Sequence, residues 1–184
     1  MLLSLSTTLF WQKAFILTLP LMVGGILHML VVRFDVLPFS KVPLHLRAFG
    51  ANKTWRGILL MPPLTILGVL LAQQLDSVWQ TALLSDYNWV GLGMALGLAY
   101  VICELPNSFL KRRLGVKPGE TSDRYPWLFS FLDQTDSAFG CIFVYALWGI
   151  GDGTLWFVLF FFGAVVHVAV NLILWACGLR RQPL

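Results

Sequence analysis

Apolar residues in this chain gather into five long runs, at about residues 14–32, 57–72, 89–105, 132–150 and 154–176, separated by shorter polar stretches. A helix needs about 20 residues to cross the roughly 30 Å hydrocarbon layer, so the pattern predicts an all-α integral membrane protein with five transmembrane helices. The second run is the weakest. Pro62 and Pro63 remove helix hydrogen-bond donors and predict a kink or break near one of its ends. No linker, low-complexity tract or convincing repeat divides the chain, so residues 1–184 read as one membrane-embedded domain with polar loops at about 33–56 and 107–131.

Composition strengthens this reading. With 58% hydrophobic and only 12% charged residues, and a mean hydropathy of +0.76, the chain lacks the polar surface a soluble domain of its size requires. The net charge of +4 does not point to nucleic acid, because the basic residues flank apolar spans where membrane topology already accounts for them. Cys103, Cys141 and Cys177 are odd in number, lack CxxC spacing and lie in or beside apolar runs, so they read as packing residues. The run after Lys13 resembles a secretory signal, but no small-x-small cleavage site follows before Arg33 and Asp35, and a retained first span is expected.

Charge also sets the sides. Of 13 Lys and Arg residues, 12 fall in residues 33–56, in residues 107–136 and at Arg180 and Arg181, and only Lys13 lies elsewhere. With five crossings all three stretches share one side, which the positive-inside rule makes cytoplasmic; the amino terminus is then outside and the carboxyl terminus inside. The opposite connections carry Asp76, Asp86 and Asp152 without a basic residue. Trp89, Trp148 and Trp156 suit interfacial anchoring. Gly93 and Gly97, four apart, allow close helix contact, and a homodimer through such glycine-bearing helices is left open.

The polar stretches contain the candidate chemistry. In Asn52-Lys53-Thr54-Trp55-Arg56-Gly57, Asn52 is placed to cap a helix and Lys53 and Arg56 to share one of its faces, an arrangement that suits an anion or simply fixes orientation. Glu104 ends the third span and is followed by the capping types Asn107 and Ser108 and by Lys111-Arg112-Arg113. Asp133-Gln134-Thr135-Asp136 opens the fourth span with two carboxylates three residues apart. Such a pair is costly at a membrane boundary unless neutralised, and a hard divalent cation bridging carboxylates and substrate phosphates would neutralise it. In the fifth span His167 and Asn171 lie one turn apart, about 14 and 8 Å from its cytoplasmic end at 1.5 Å per residue, suited equally to an interhelical hydrogen bond or to a site. Asp35, Glu120 and Asp123 read as solvated loop charges.

Taken in order, Asn52 to Gly57, Ser108-Phe109-Leu110-Lys111-Arg112-Arg113-Leu114-Gly115 with Lys117-Pro118-Gly119, Asp133 to Asp136, and His167 with Asn171 before Gly178-Leu179 resemble the CDP-archaeol synthase family. That family is a branch of the CDP-diacylglycerol synthase superfamily of membrane cytidylyltransferases. The resemblance implies a five-helix enzyme of the cytoplasmic membrane, its site facing the cytoplasm, that joins CTP to a membrane lipid phosphate and releases pyrophosphate. It implies Mg²⁺ held by Glu104, Asp133 and Asp136, and catalysis by Lys111 and Arg112 together with the two aspartates. Asn52, Lys53, Thr54, Arg56, Ser108, Arg113, Lys117, His167 and Asn171 would bind nucleotide or lipid phosphate. Archaeal members usually have Gly-Asp where this chain has Cys103-Glu104. The wider superfamily's His-Gly-Gly is absent, with Pro118 and Gln134 in place of its Asp and Arg, so the archaeol branch fits better than the bacterial phosphatidate branch.

Rival functions leave different marks. A CDP-alcohol phosphotransferase needs a long Asp-Gly, Ala-Arg and paired-Asp signature, and the only Asp-Gly here is Asp152-Gly153 on the opposite side. A small transporter needs ionisable residues along a path across the membrane, whereas these charges collect at one face. A scaffold leaves the acid and base clusters without a role.

Overall fold

A computed structural model of the protein describes residues 2–120 and 122–179, with side chains from residue 6 onward; Arg180 and Arg181 lie outside them. Six α-helices follow in order: α1 (Leu2–Arg33), α2 (Leu46–Phe49), α3 (Trp55–Trp79), α4 (Trp89–Arg113), α5 (Pro126–Leu147) and α6 (Gly153–Ala176). No strand forms among the described residues. Four helices are long and apolar enough to cross a membrane: α1 from Ser6 to Arg33, α3, α4 and α6. The 22-residue α5 begins at Pro126, so Asp133, Gln134, Thr135 and Asp136 do not open it but fall in about its third turn, where they dilute its apolar content.

Four of the long helices cover their expected runs, whereas α5 begins six residues before its run at 132–150 and stops three short of its end, at Leu147. Pro62 and Pro63 do not interrupt α3, which is continuous from Trp55 to Trp79. Helix α4 continues through Asn107 and Ser108 to Arg113, so these two residues are helix interior and not caps. The loop expected at 107–131 therefore shrinks to 114–125. Capping follows ordinary rules at the other ends. The Asn88 carboxamide accepts from Gly91 N at 2.8 Å to start α4, and the Asp152 carboxylate accepts from Thr154 N and Leu155 N at 2.9 and 3.0 Å to start α6.

The helices pack in a chain, α1 on α3, α3 on α4, α4 on α5, with α6 closing against α5 and α1. Small residues make the contacts close, as they must where lipid offers no hydrophobic drive for helix association. A Cβ at Gly97 would come within 2.5 Å of Pro62 Cα, one at Gly93 within 2.5 Å of Ile66 Cα, and one at Gly68 within 2.7 Å of the Pro20 carbonyl oxygen. Gly93 and Gly97 are thus spent inside the chain, and they offer no free face to a second copy. At the α4 and α5 contact a Cβ at Gly140 would meet Cys103 Sγ at 2.6 Å, which gives that cysteine its packing role. The core of Leu17, Val69, Leu92, Leu96, Tyr145 and Ile150 is tied across the bundle by the Tyr145 hydroxyl, which donates to the Leu17 carbonyl at 2.7 Å. Trp148 and Trp156 pack inward, Trp148 against Tyr87 and Trp156 donating to the Ile150 carbonyl at 2.9 Å.

Candidate functional site

The charged end of the bundle is where α1 and α6 finish and α3 begins. After α1 the chain turns through Asp35 and Leu37, both at φ 53, a left-handed conformation that costs a non-glycine residue roughly 1–2 kcal/mol. This turn sends residues 38–54 back across the bundle. They are pinned by an isolated bridge between Pro43 and Thr54, with Leu44 N donating to the Lys53 carbonyl at 2.8 Å and Trp55 N to the Val42 carbonyl at 3.0 Å. The N-cap position of α3 is held by Thr54, without a side-chain capping hydrogen bond, and not by Asn52. Lys53 therefore precedes the helix and does not share a helical face with Arg56, yet both still reach the same space.

That space is a cavity of about 680 Å³ whose wall draws on all five long helices and both charged-end loops. From the first loop and α3 come Asn52, Lys53, Thr54 and Arg56; from α4, Glu104, Ser108, Lys111 and Arg112; from α5, Asp133; and from α6, His167 and Asn171. Three expected residues do not line it. Asp136 stands behind Asp133, Arg113 lies exposed over the Phe109 ring with its guanidinium 4.8 Å from the centroid, and Lys117 contributes its carbonyl, which accepts from Arg112 Nη2 at 3.1 Å.

Acid and base alternate along the wall. The ammonium of Lys53 pairs with Glu104, and Lys111 pairs with Asp133 at 2.5 and 2.7 Å. The Asn107 amide donates to Asp133 at 2.7 Å and to Asp136 at 3.1 Å, so it holds the two aspartates together. Burial by itself lowers the Lys53 pKa; Glu104 and then Asp136 and Asp133 outweigh it and leave the amine above its usual value. Three carboxylates from two helices thus converge on one lysine. Arg56 is buried and donates to Asp35 at 3.0 Å, while the hydrogen bond from Lys41, assisted by Arg56, holds the Asp35 carboxyl below the usual range. Asp35 is an anchor for Arg56 rather than a merely solvated charge, and Glu120 lines the cavity.

Several polar atoms here remain unanswered. Arg112 keeps buried Nε and Nη1 without a hydrogen-bond partner, and Asn107 keeps a buried Oδ1 in the same condition. A buried donor or acceptor left unmatched costs about 1–3 kcal/mol, so such atoms need a partner beyond the protein's own side chains. The loops frame Arg112 closely. Gly50, at φ 84, leaves room where a Cβ would press to 3.2 Å from Arg112 Nη1 and 3.0 Å from Pro118 Cγ. On the opposite wall Gln134 ties α5 to α6, its carboxamide oxygen accepting from Asn171 at 3.3 Å and its carbonyl 3.4 Å from His167 Nδ1. His167 and Asn171 therefore both pack and face the cavity.

Among the described residues no three His, Cys, Asp or Glu side chains form a ready metal cage. The donor set nevertheless suits a hard cation: carboxylates now neutralised by lysines, beside an amide oxygen with no partner. Mg²⁺ ordinarily takes one or two carboxylates and completes its shell with water and substrate phosphates, so a closed protein cage is unnecessary.

Residues 42–183 match the family model for CarS-like CDP-archaeol synthase. The chain belongs to the CDP-archaeol synthase family. It is also 26% identical over 125 residues to a CDP-archaeol synthase of Staphylothermus marinus, an alignment that covers 68% of this chain and 62% of that relative. No solved structure matches the chain.

Sequence reasoning passed over His28, Tyr100, Asn107 as a bridge, and Gln134. His28 and Tyr100 belong to apolar runs where a lone polar residue reads as packing, and only the cavity reveals the face they share. Asn107 had a legible signal: it lies three residues after Glu104 and four before Lys111, on one face of an uninterrupted helix.

Proposed function

We propose that the protein is a CTP:lipid-phosphate cytidylyltransferase of the CDP-archaeol synthase type, making a CDP-activated lipid and pyrophosphate at the cytoplasmic face of the cell membrane. The observation that carries this reading is the two-sided character of the cavity. Its charged end holds Lys53, Arg56, Lys111 and Arg112 beside acidic Glu104 and Asp133, while its other end runs between Met22 of α1 and Val166 of α6. A soluble triphosphate suits the first and a lipid chain the second. The S. marinus relative carries the name of such an enzyme, and family membership favours the same chemistry here.

In this reading a lipid phosphate oxygen attacks the α-phosphorus of CTP. The new P–O bond forms as the bond to the bridging oxygen breaks, and pyrophosphate leaves with the electron pair. The nucleophile is already ionised, so no general base is needed; positioning and charge stabilisation carry the rate. Arg112 has two unpartnered nitrogens, Nε and Nη1, to offer the triphosphate. Lys53 and Lys111, paired here with Glu104 and Asp133, are placed to meet phosphate oxygens, and Glu104, Asp133 and Asp136 would be the residues to hold Mg²⁺. When bound, Mg²⁺ supplies neutralisation of the charge that gathers on the phosphates. Asn107 keeps Asp133 and Asp136 together, and Gln134, His167 and Asn171 keep α5 and α6 in register.

We read α5 as the fifth crossing, which gives an outside amino terminus and a cytoplasmic carboxyl terminus. Its outward residues Phe139, Phe143 and Leu147 are exposed and apolar, as lipid requires, and the basic loops then share the cytoplasmic side. Purified protein given labelled CTP, Mg²⁺ and a panel of dialkylglycerol and diacylglycerol phosphates is expected to yield a CDP-lipid and pyrophosphate, identified by mass spectrometry. Absence of nucleotide transfer to every lipid phosphate in the panel would overturn the reading. A product from the diacyl substrate alone would replace the archaeol-type substrate with phosphatidate.

A further inference from the structure

Helix α1 is apolar along most of its length, and between Thr18 and Arg33 its one polar side chain is His28. An ionisable residue at that depth, five residues or about 8 Å from the helix end, is costly unless something uses it. His28 lines the cavity and lies within the field of Glu104, Arg56 and Lys53. Its ring makes no hydrogen bond among the described residues. Close packing fixes its place. A Cβ at Gly24 would reach 2.8 Å from Thr65 Oγ1, so α1 is held tightly against α3 one turn before His28, and His28 Nε2 stands 4.0 Å from where a Gly57 Cβ would be. The imidazole thus sits over the first turn of α3, next to Arg56.

The position along the cavity distinguishes the two substrates. Below His28 the wall is made by Gly25, Met22 and Leu21 of α1 facing Val166 and Val170 of α6, and above it come Lys53 and Arg56. Asn52, Arg112 and Gly119, which suit a nucleotide arriving from solution, lie toward the loops. Resting on the cytidylyl-transfer reading, we infer that His28 is a binding residue for the lipid substrate: a ring N–H donates to a non-attacking oxygen of the lipid phosphate where the cavity changes from apolar to charged. Arg56 takes a second oxygen of the same group. The remaining oxygen is thereby turned toward the nucleotide, so helix α1 helps to aim the nucleophile. His28 lies outside residues 42–183, which carry the family match.

The test uses the full chain in detergent with CTP, Mg²⁺ and a dialkylglycerol phosphate, comparing wild type with His28→Ala, His28→Asn and His28→Gln. The KM for the lipid phosphate is expected to rise on the order of tenfold in His28→Ala, the scale of one hydrogen bond to a charged group, while the KM for CTP stays within about twofold. The amide variants keep a donor and are expected to recover part of the loss. An unchanged lipid KM in any folded His28→Ala preparation, or a CTP KM that rises in step, overturns the inference. Loss of folded protein in all three variants, followed by thermal unfolding, also counts against it, because a ring facing a cavity tolerates an amide. A wild-type protein that forms no CDP-lipid sinks the cytidylyl-transfer reading itself; an active wild type with indifferent His28 variants sinks only the role of His28.

Discussion

At the far end of the bundle Asp76 is 1% exposed and wholly answered by the loop that follows it, while at the charged end Glu104 and Asp133 are answered by lysines from other parts of the chain. The Asp76 carboxylate accepts from the Thr81 hydroxyl, from Leu83 N at 3.0 Å and from Leu84 N at 2.8 Å. Gln73 then donates to the Leu84 and Tyr87 carbonyls at 2.7 Å each, closing the α3 to α4 connection. Among the described residues no buried side-chain polar atom there is left unmatched. The charged end has the reverse character: its partners are long, exchangeable side chains, and Arg112 and Asn107 retain unused atoms. Buried charge by itself therefore does not mark the site. What marks it is charge whose partners can be traded for a ligand.

The strongest way to break that contrast is Asp133→Asn. If Asp133 serves the reacting phosphates as proposed, its loss is expected to lower turnover by about 10²–10³-fold, the scale seen for removal of one electrostatic contributor to a transition state. The thermal unfolding midpoint should barely move, since Asn107 and Lys111 still find an oxygen at residue 133. Chelation of divalent ions should abolish turnover reversibly, and Mg²⁺ should restore it. Substantial activity in the variant together with marked unfolding would place Asp133 in the same structural class as Asp76.

The converse substitution is Asp76→Ala, which strips acceptors from two backbone N–H groups and a buried hydroxyl. Stability is expected to fall by about 2–4 kcal/mol, from unsatisfied donors at the usual cost of each. Activity per folded molecule should stay close to wild type. A large loss of turnover in protein that remains folded would mean that the two ends are coupled, and the comparison would fail.

How much of this was legible from the chain follows the same division. Apolar runs located the helices because hydrocarbon selects for them directly, but their ends were misjudged wherever a helix left the apolar layer, as α4 does between residue 105 and Arg113. That extension carries Lys111 and Arg112 into the site. The acidic and basic motifs found most of the charged residues of the cavity wall, since charges at a membrane boundary stand out against an apolar background. Local spacing misplaced Asn52 as a cap and Asp35 as an idle loop charge, because Asn52 sits in the cavity wall ahead of α3 and Asp35 pairs with Arg56, which no window of sequence contains. Asp136 illustrates the limit most clearly: its spacing from Asp133 was informative, but which of the two fronts the cavity depends on α4.

Arg112→Ala sharpens the contrast at the nucleotide side. If its two unmatched nitrogens serve the triphosphate, CTP affinity measured by titration should weaken by roughly tenfold or more, the scale of hydrogen bonds to a charged group. The affinity for a dialkylglycerol phosphate should change little. An unaltered CTP affinity would mean that those atoms are only a packing defect between the two loops.

The smallest effect is expected at Asp35, where a charged-end ion pair is half open to solvent. Asp35 is 50% exposed at its side chain whereas Arg56 is 8% exposed, so Asp35→Asn loosens the tether without unburying the arginine, and turnover should change by less than about threefold, as exposed pairs contribute little. The pH dependence gives the sharper test. Because the folded carboxyl is held below its ordinary value, chiefly by Lys41 and then by Arg56, its contribution to stability is present above the unfolded pKa of about 3.9 and fades as pH falls toward the folded value. The difference in unfolding midpoint between wild type and Asp35→Asn should therefore be constant from about pH 5 to 8 and shrink only in more acidic solution. A difference that instead grew on acidification would show that Asp35 is strained in the folded chain, and the tether would have to be read as a contact the protein tolerates rather than one that holds Arg56 in place.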